Sequence, residues 1–163
     1  MEDEVEFCVL AEFSDHSFLA ILQDQGRITN VQLAKDVGIS PPPCLRRVRA
    51  LEDAGYIRGY HGDIDPAMLG FGVTVFAHVG LQSQAESDLQ AFEALVDKWP
   101  MVRECQMLAG ETDFILKVVA PDWDAYQSWL TSELTAAPNV DQVKSALGIR
   151  SSKDLPGVPF EIE

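Results

Sequence analysis

Arg27-Ile-Thr-Asn-Val-Gln-Leu-Ala-Lys-Asp-Val-Gly-Ile-Ser-Pro-Pro-Pro-Cys-Leu-Arg-Arg-Val-Arg-Ala-Leu-Glu-Asp-Ala-Gly-Tyr-Ile-Arg-Gly-Tyr60 reads as two capped helices, a three-residue turn and a strand after a glycine stop. Thr29 is placed to cap the first helix, and Gln32 three residues on completes a capping box. Val31, Leu33, Ala34 and Val37 form its apolar side, and Gly38 supplies a left-handed stop. After the turn Gly38-Ile39-Ser40, Ser40 is expected to cap the second helix. Pro41, Pro42 and Pro43 fill that helix's first turn, where a missing N–H costs nothing. Leu45, Val48 and Leu51 fall on one face and are expected in the core, while Arg46 points nearly opposite with Arg47 and Arg49 beside it. An arginine-rich outer face on the second helix of a short helix-turn-helix suits the major groove of DNA. Guanidinium groups fork onto guanine edges or clamp phosphates. A charge run can also be a merely solvated face, but the caps, the turn length and the Gly55-Tyr56-Ile57 stop agree on DNA.

The net charge of −14, from 12 bases and 26 acids, points the other way until its distribution is read. Residues 1–10 hold four acids and no base, and residues 66–163 hold fourteen acids against six bases. Between Arg27 and Arg58 six bases face three acids. A basic island in an acidic body is expected to bind DNA through few phosphates and to weaken at high salt. The 47% hydrophobic content of the 163 residues supports a folded core. No apolar run approaches membrane-spanning length and no signal peptide is recognisable. Cys8, Cys44 and Cys105 lack metal or redox spacing, which fits reduced thiols in the cytoplasm.

Working outward, Ser14 or Asp15 is placed to start a first helix carrying Phe18, Leu19, Ile21 and Leu22. Residues 56–64, interrupted by His61-Gly62-Asp63, suit a small hairpin or wing. The second half spaces its elements as a strand (73–81), a helix (85–99), strands at 102–108 and 114–119, a helix opened by Asp122, and a strand at 140–149. That βαββαβ order is the ferredoxin-like split unit. The fold class is therefore α+β, a winged helix-turn-helix followed by a ferredoxin-like (ACT-like) domain. The expected division is a tail at 1–10, the DNA-binding domain at 11–65, a linker at 66–72, the second domain at 73–150 and a tail at 151–163. Alternating apolar side chains on both faces of the 73–81 strand call for a partner on the open face, and self-association supplies one.

The segment resembles the DNA-binding domain of the Lrp/AsnC (feast/famine) transcriptional regulators. The resemblance rests on Leu22-Gln23-Asp24-Gln25-Gly26-Arg27-Ile28, Leu33-Ala34, Gly38-Ile39-Ser40, Cys44-Leu45-Arg46-Arg47-Val48, Leu51-Glu52 and Gly55-Tyr56-Ile57. It extends to Ala109-Gly110-Glu111-Thr112-Asp113-Phe114, similar to the family's Gly-x-x-Asp-Tyr/Phe turn, and covers roughly residues 11–150. It implies double-stranded DNA as partner. Base contacts are expected from Pro42, Pro43, Arg46 and Arg47, and phosphate contacts from Ser40, Arg49 and Arg27. It also implies a small amino-acid effector where protomers meet, touched by Gly110, Thr112, Asp113 and Ser145, and a homodimer with octamers open. Asp113 would hold an α-ammonium and backbone N–H groups near Gly110 a carboxylate. The same residues also make an ordinary tight turn, with Gly110 at positive φ and Asp113 bonded to its own backbone.

Catalysis has little support. His16, His61 and His78 are scattered, and neither a nucleophile elbow nor a phosphate loop is present, so no catalytic residue, metal or cofactor is expected. The enzymatic alternative is a sirohaem decarboxylase, which shares the two-domain plan but has a Trp-Phe-Thr motif in its central strands. This chain has Arg103-Glu-Cys-Gln-Met-Leu-Ala-Gly-Glu-Thr-Asp-Phe114 there, which favours the regulator.

Overall fold

The computed structural model describes residues 13–160. The chain divides into two compact units, residues up to 63 together with those from 153 on, and residues 64–152. The expected tail at 1–10 lies outside the described residues.

Three helices make the first unit: α1 (Phe13–Asp24), α2 (Asn30–Asp36) and α3 (Pro41–Asp53). Thr29 caps α2 as expected, its hydroxyl accepting the Gln32 N–H at 3.2 Å. The returning half of the capping box is not made. Gln32 Nε2 donates forward to Asp36 at 2.6 Å, the neighbour one turn on. Gly38 and Gly55, at φ +75° and +79°, end α2 and α3 in the left-handed region. Phe18, Leu22, Leu33, Ala34, Cys44 and Leu51 form the core, with Val37, Val48 and Ile57 packed against it. Two core expectations are corrected. Leu45 is 40% and Val31 67% exposed. Cys44, not Leu45, sets the inward phase of α3, and one helical position is about 100° of rotation. The expected wing strands are also absent, since no strand forms between 56 and 65. Ile57 N–H instead reaches Leu51 O at 3.3 Å, and the Tyr60 hydroxyl donates to Glu52 at 2.9 Å. A lone two-stranded ribbon is marginal, and Gly59 and Gly62 remove side chains that would pair across it.

The second unit starts with a 3-10 turn, Ala67–Leu69, closed by Gly70 at φ +82°. The expected linker is thus a folded lead-in, tied by Gly72 N–H to Pro121 O at 2.9 Å. There follow β1 (Val73–Leu81), α4 (Glu86–Val96), β2 (Val102–Met107), β3 (Phe114–Ala120), α5 (Trp123–Trp129) and β4 (Val140–Gly148). The strands pair antiparallel in the order β2-β3-β1-β4, the ferredoxin-like arrangement expected. Asp122 caps α5 through the Ala125 N–H at 2.8 Å. Past Trp129 the helix widens to a π turn, Leu130–Leu134, where Thr131 and Thr135 hydroxyls donate to Gln127 O and Leu130 O. Val75, Ala77 and Val79 of β1 and Phe114, Leu116 and Val118 of β3 share a core with Phe92, Val96, Tyr126, Trp129 and Leu134 of the helical layer. Trp123, the first residue of α5, is 39% exposed. The opposite sheet face carries Phe76, His78, Ile115 and a Lys117–Glu104 ion pair at 2.8 Å.

The segment expected as a C-terminal tail belongs to the helical unit. Val158 N–H donates to Gln23 Oε1 and Gln23 Nε2 donates to Val158 O, both at 2.9 Å. The His16 and Phe160 rings lie 5.8 Å apart. Gly157 sits at φ +71°, which favours glycine, and a Cβ there would come 1.9 Å from Gln23 Oε1 and push that side chain off Val158. No helix among the described residues is long and apolar enough to cross a membrane.

Candidate DNA-reading helix and effector turn

With Cys44, Val48 and Leu51 turned inward, the 3.6-residue period puts Pro42, Arg46, Arg49 and Asp53 on the outward stripe of α3. All four are exposed. Arg47 lies on the flank facing α1, where its Nε donates to the Asp15 carboxylate in a short contact that ties the two helices. Its expected base-reading role therefore competes with a structural one. Asp15 is buried, and removing its partner would leave an anion without a cation. An open groove lined by Phe18, Ile39, Pro43, Arg46, Arg47 and Ala50 runs along this flank. Arg27 is exposed in the connection between α1 and α2.

Ser40 holds the N-cap position of α3 at φ −80°, ψ 154°, but its hydroxyl makes no cap bond. The reason is chemical. A capping oxygen accepts from the second or third helical N–H, and both positions are proline. The proline turn that presets the helix thus leaves the Ser40 hydroxyl exposed and strips the helix start of the N–H donors that bind phosphate elsewhere. Any phosphate grip at this end must come from side chains. Asn30 takes up part of the anchoring, with Nδ2 donating to Pro41 O at 2.8 Å.

In the second unit the 108–113 connection joins β2 to β3. Gly110 is exposed, and a Cβ on it would meet nothing within 4 Å. It is not among the positive-φ glycines, so the tight-turn account of this residue does not hold. Asp113 is half-buried and is not the unpaired aspartate the sequence suggests. Its Oδ2 accepts the Leu81 N–H at 2.7 Å and its Oδ1 accepts Gln84 Nε2 at 2.8 Å. Its backbone is fixed too, through Leu108 N–H to Asp113 O at 2.7 Å and Asp113 N–H to Val79 O at 2.9 Å. Both of these donors to the carboxylate, a backbone N–H and a side-chain amide, are neutral. Thr112 is buried beside it.

Ser145 is not brought to this turn. It pairs with Ala77 in the β1–β4 ladder, four residues from Leu81, or roughly 13 Å along the strand. Its hydroxyl shares a short hydrogen bond with Tyr126, a phenol whose pKa is raised by burial and lowered in part by that bond.

Two family patterns match the chain, one in each half. Residues 19–58 match the winged helix-turn-helix DNA-binding family, and residues 74–158 match the Lrp/AsnC ligand binding domain. The chain belongs to the Lrp/AsnC family. It is similar to the leucine-responsive regulatory protein of Rhizobium meliloti, 51% identical over 140 residues that cover 86% of this chain and 90% of that one. Among solved structures, a transcriptional regulator of Neisseria meningitidis in complex with L-methionine superposes with a TM-score of 0.86. That regulator is 34% identical, with 91% of this chain and 96% of that one covered. An AsnC family transcriptional regulator from Agrobacterium tumefaciens gives 0.84 at 31% identity, with the same two coverages.

As a member of the Lrp/AsnC family the chain is a DNA-binding transcriptional regulator. Sequence reading missed Gln84 at its candidate effector turn. Gln82-Ser83-Gln84 carries no motif, and its pairing with Asp113 spans 29 residues. It also missed that Asp15, noticed only as a helix-start residue, is the partner of Arg47.

Proposed function

We propose that this Lrp/AsnC regulator reads duplex DNA with Arg46 at the centre of the α3 outward stripe, and that an amino acid held at the 110–113 turn modulates the binding. Pro42 and Pro43 shape the base-facing end of α3. Ser40, Arg27 and Arg49 hold phosphates, and Arg47 contributes to the surface from its place beside Asp15. The observation that carries the effector half is Asp113: a half-buried carboxylate whose donors, the Leu81 N–H and the Gln84 amide, are neutral, beside a glycine whose backbone is open. An α-ammonium supplies the missing positive charge and the amides near Gly110 meet the carboxylate. The Neisseria regulator's methionine complex supports an amino acid as the class. Thr112 and Ser145 complete the pocket. Since Ser145 lies apart from Asp113 within one chain, the partner protomer's copy is the one that reaches the turn. That requires at least a homodimer, with octamers open; the sheet face bearing Phe76 supplies one protomer contact, and the helix-covered face, to which Ser145 and Tyr126 belong, supplies the one that shares the pocket. The protein works in the cytoplasm beside its DNA, as a regulator and not an enzyme.

Asp113→Asn tests this, because the amide oxygen still accepts the Leu81 N–H while the charge is gone. With L-methionine and L-leucine as probes, the wild type gains melting temperature and the variant does not. The variant keeps its fold and the oligomeric mass seen by light scattering. A wild-type mass of one 18.0 kDa chain sinks the shared pocket, and an unchanged thermal shift in the variant sinks Asp113 as its anchor.

A further inference from the structure

Asp113 is held by two donors of very different character. Leu81 N–H belongs to the end of β1, at the register shift between Gly80 and Leu81, and cannot leave without opening the sheet. Gln84 is exposed and reaches Asp113 Oδ1 only through its side chain. The backbone on either side of it is pinned. Ser83 N–H donates to Asn139 Oδ1 and Asn139 Nδ2 donates to Ser83 O, both at 2.9 Å. Asn139 itself holds φ +68°, a conformation rare outside glycine. The Ser83 hydroxyl adds a bond to Asp88 at 2.5 Å and accepts the Ala85 N–H at 3.3 Å. The loop is therefore rigid and the Gln84 side chain is its movable part.

We propose that Gln84 gates the effector turn. Its amide occupies the place on Asp113 Oδ1 that an α-ammonium takes when an amino acid binds, and it swings out on binding. The inference rests on the amino-acid reading of this turn. An amide meets the carboxylate as a dipole, whereas an ammonium meets it as a full opposite charge, so the ligand displaces the side chain. Asp113 thereby serves both readings of the turn, with Oδ2 structural and Oδ1 exchangeable. A ligand lacking the ammonium cannot displace Gln84, so the gate also sets specificity against simple carboxylates.

Calorimetric titration of the full chain with L-methionine and L-leucine tests the gate in three variants. Gln84→Ala removes the competitor and tightens Kd about 3- to 10-fold, the factor that one net hydrogen bond represents. Gln84→Lys places a tethered ammonium on Asp113 and weakens Kd by more than about 10-fold. Asp113→Asn abolishes binding. If Gln84→Ala weakens binding or leaves it unchanged while Asp113→Asn abolishes it, Gln84 is a contact or a bystander and the gate is wrong. If Asp113→Asn still binds, or neither amino acid binds the wild type, the effector reading of the turn fails and the gate falls with it.

Discussion

The helical unit and the sheet unit solve opposite problems. The sheet unit buries fourteen core residues around a run of aromatic rings, Phe114 to Phe92 at 4.9 Å, Trp99 to Trp129 at 5.5 Å and Trp129 to Tyr126 at 6.0 Å. Among the described residues the core cluster of the helical unit holds six. That unit makes up the difference with individual polar contacts: the Thr29 cap, the Arg47–Asp15 pair and the C-terminal segment bonded to Gln23. Its outward face must stay polar and basic to meet DNA, so the surface it can bury is small. The sheet unit has no such demand on its helix-covered face. One unit presents chemistry on a thin support, and the other stores stability around a pocket edge.

Core truncation tests that contrast most severely. Phe92→Ala removes a fully buried ring and costs about 3–5 kcal/mol, while Leu33→Ala costs about 2–5 kcal/mol from a much smaller core. All three tryptophans, Trp99, Trp123 and Trp129, lie in the sheet unit, so their fluorescence reports on it alone. Leu33→Ala is expected to abolish DNA binding and lower helical ellipticity at a temperature where the tryptophan transition has not moved. Phe92→Ala moves that transition. A tryptophan midpoint that follows Leu33→Ala would make the units one cooperative block and end the comparison.

Arg46→Ala is the next smaller effect and tests the surface side of the contrast. Its loss is about 1–3 kcal/mol at the preferred DNA site with melting unchanged, read by fluorescence anisotropy. Equal losses on preferred and random DNA would assign Arg46 to phosphates and move base reading elsewhere on α3.

The smallest effect is alkaline. Burial, then the Glu93 and Asp97 charges, push the Cys105 thiol up to about 11 from 9.0. Partial burial and the Glu52 carboxylate push the Tyr60 phenol to about 12 from 10.0. Both groups hold their proton more tightly when folded, so stability is full below the unfolded value and falls as pH rises through the folded one. The sheet unit is expected to weaken between about pH 9 and 11 through Cys105, and because burial also pushes the Cys44 thiol of the helical unit up from 9.0, both units lose stability in the alkaline range. Melting curves of wild type and Cys105→Ala across that window decide it. If the two fall in parallel, the thiol is not the cause.

Legibility followed sequence separation. The Thr29 and Asp122 caps, the left-handed Gly38 and Gly55, and the βαββαβ order are all visible in the chain, because each depends on residues within a turn or on a repeating period. The phase of α3 was not legible. Cys44 and Leu45 are both apolar, and only packing against α1 and α2 decides which turns inward. Ser40 was misread as a working cap by the same locality, since its position is right and the donors it needs are prolines.

By itself the sequence determined the family, the order of elements and the arginine face, because these are written in spacing, capping and charge. Tertiary structure alone decided what those side chains are free to do. It commits Arg47 to an aspartate 32 residues away, gives Asp113 two donors from the far end of β1 and the loop after it, and returns Val158 to a glutamine 135 residues earlier. Hydrogen bonds of that reach leave no period in the chain, since the partners are set by where strands and helices meet and not by what precedes them.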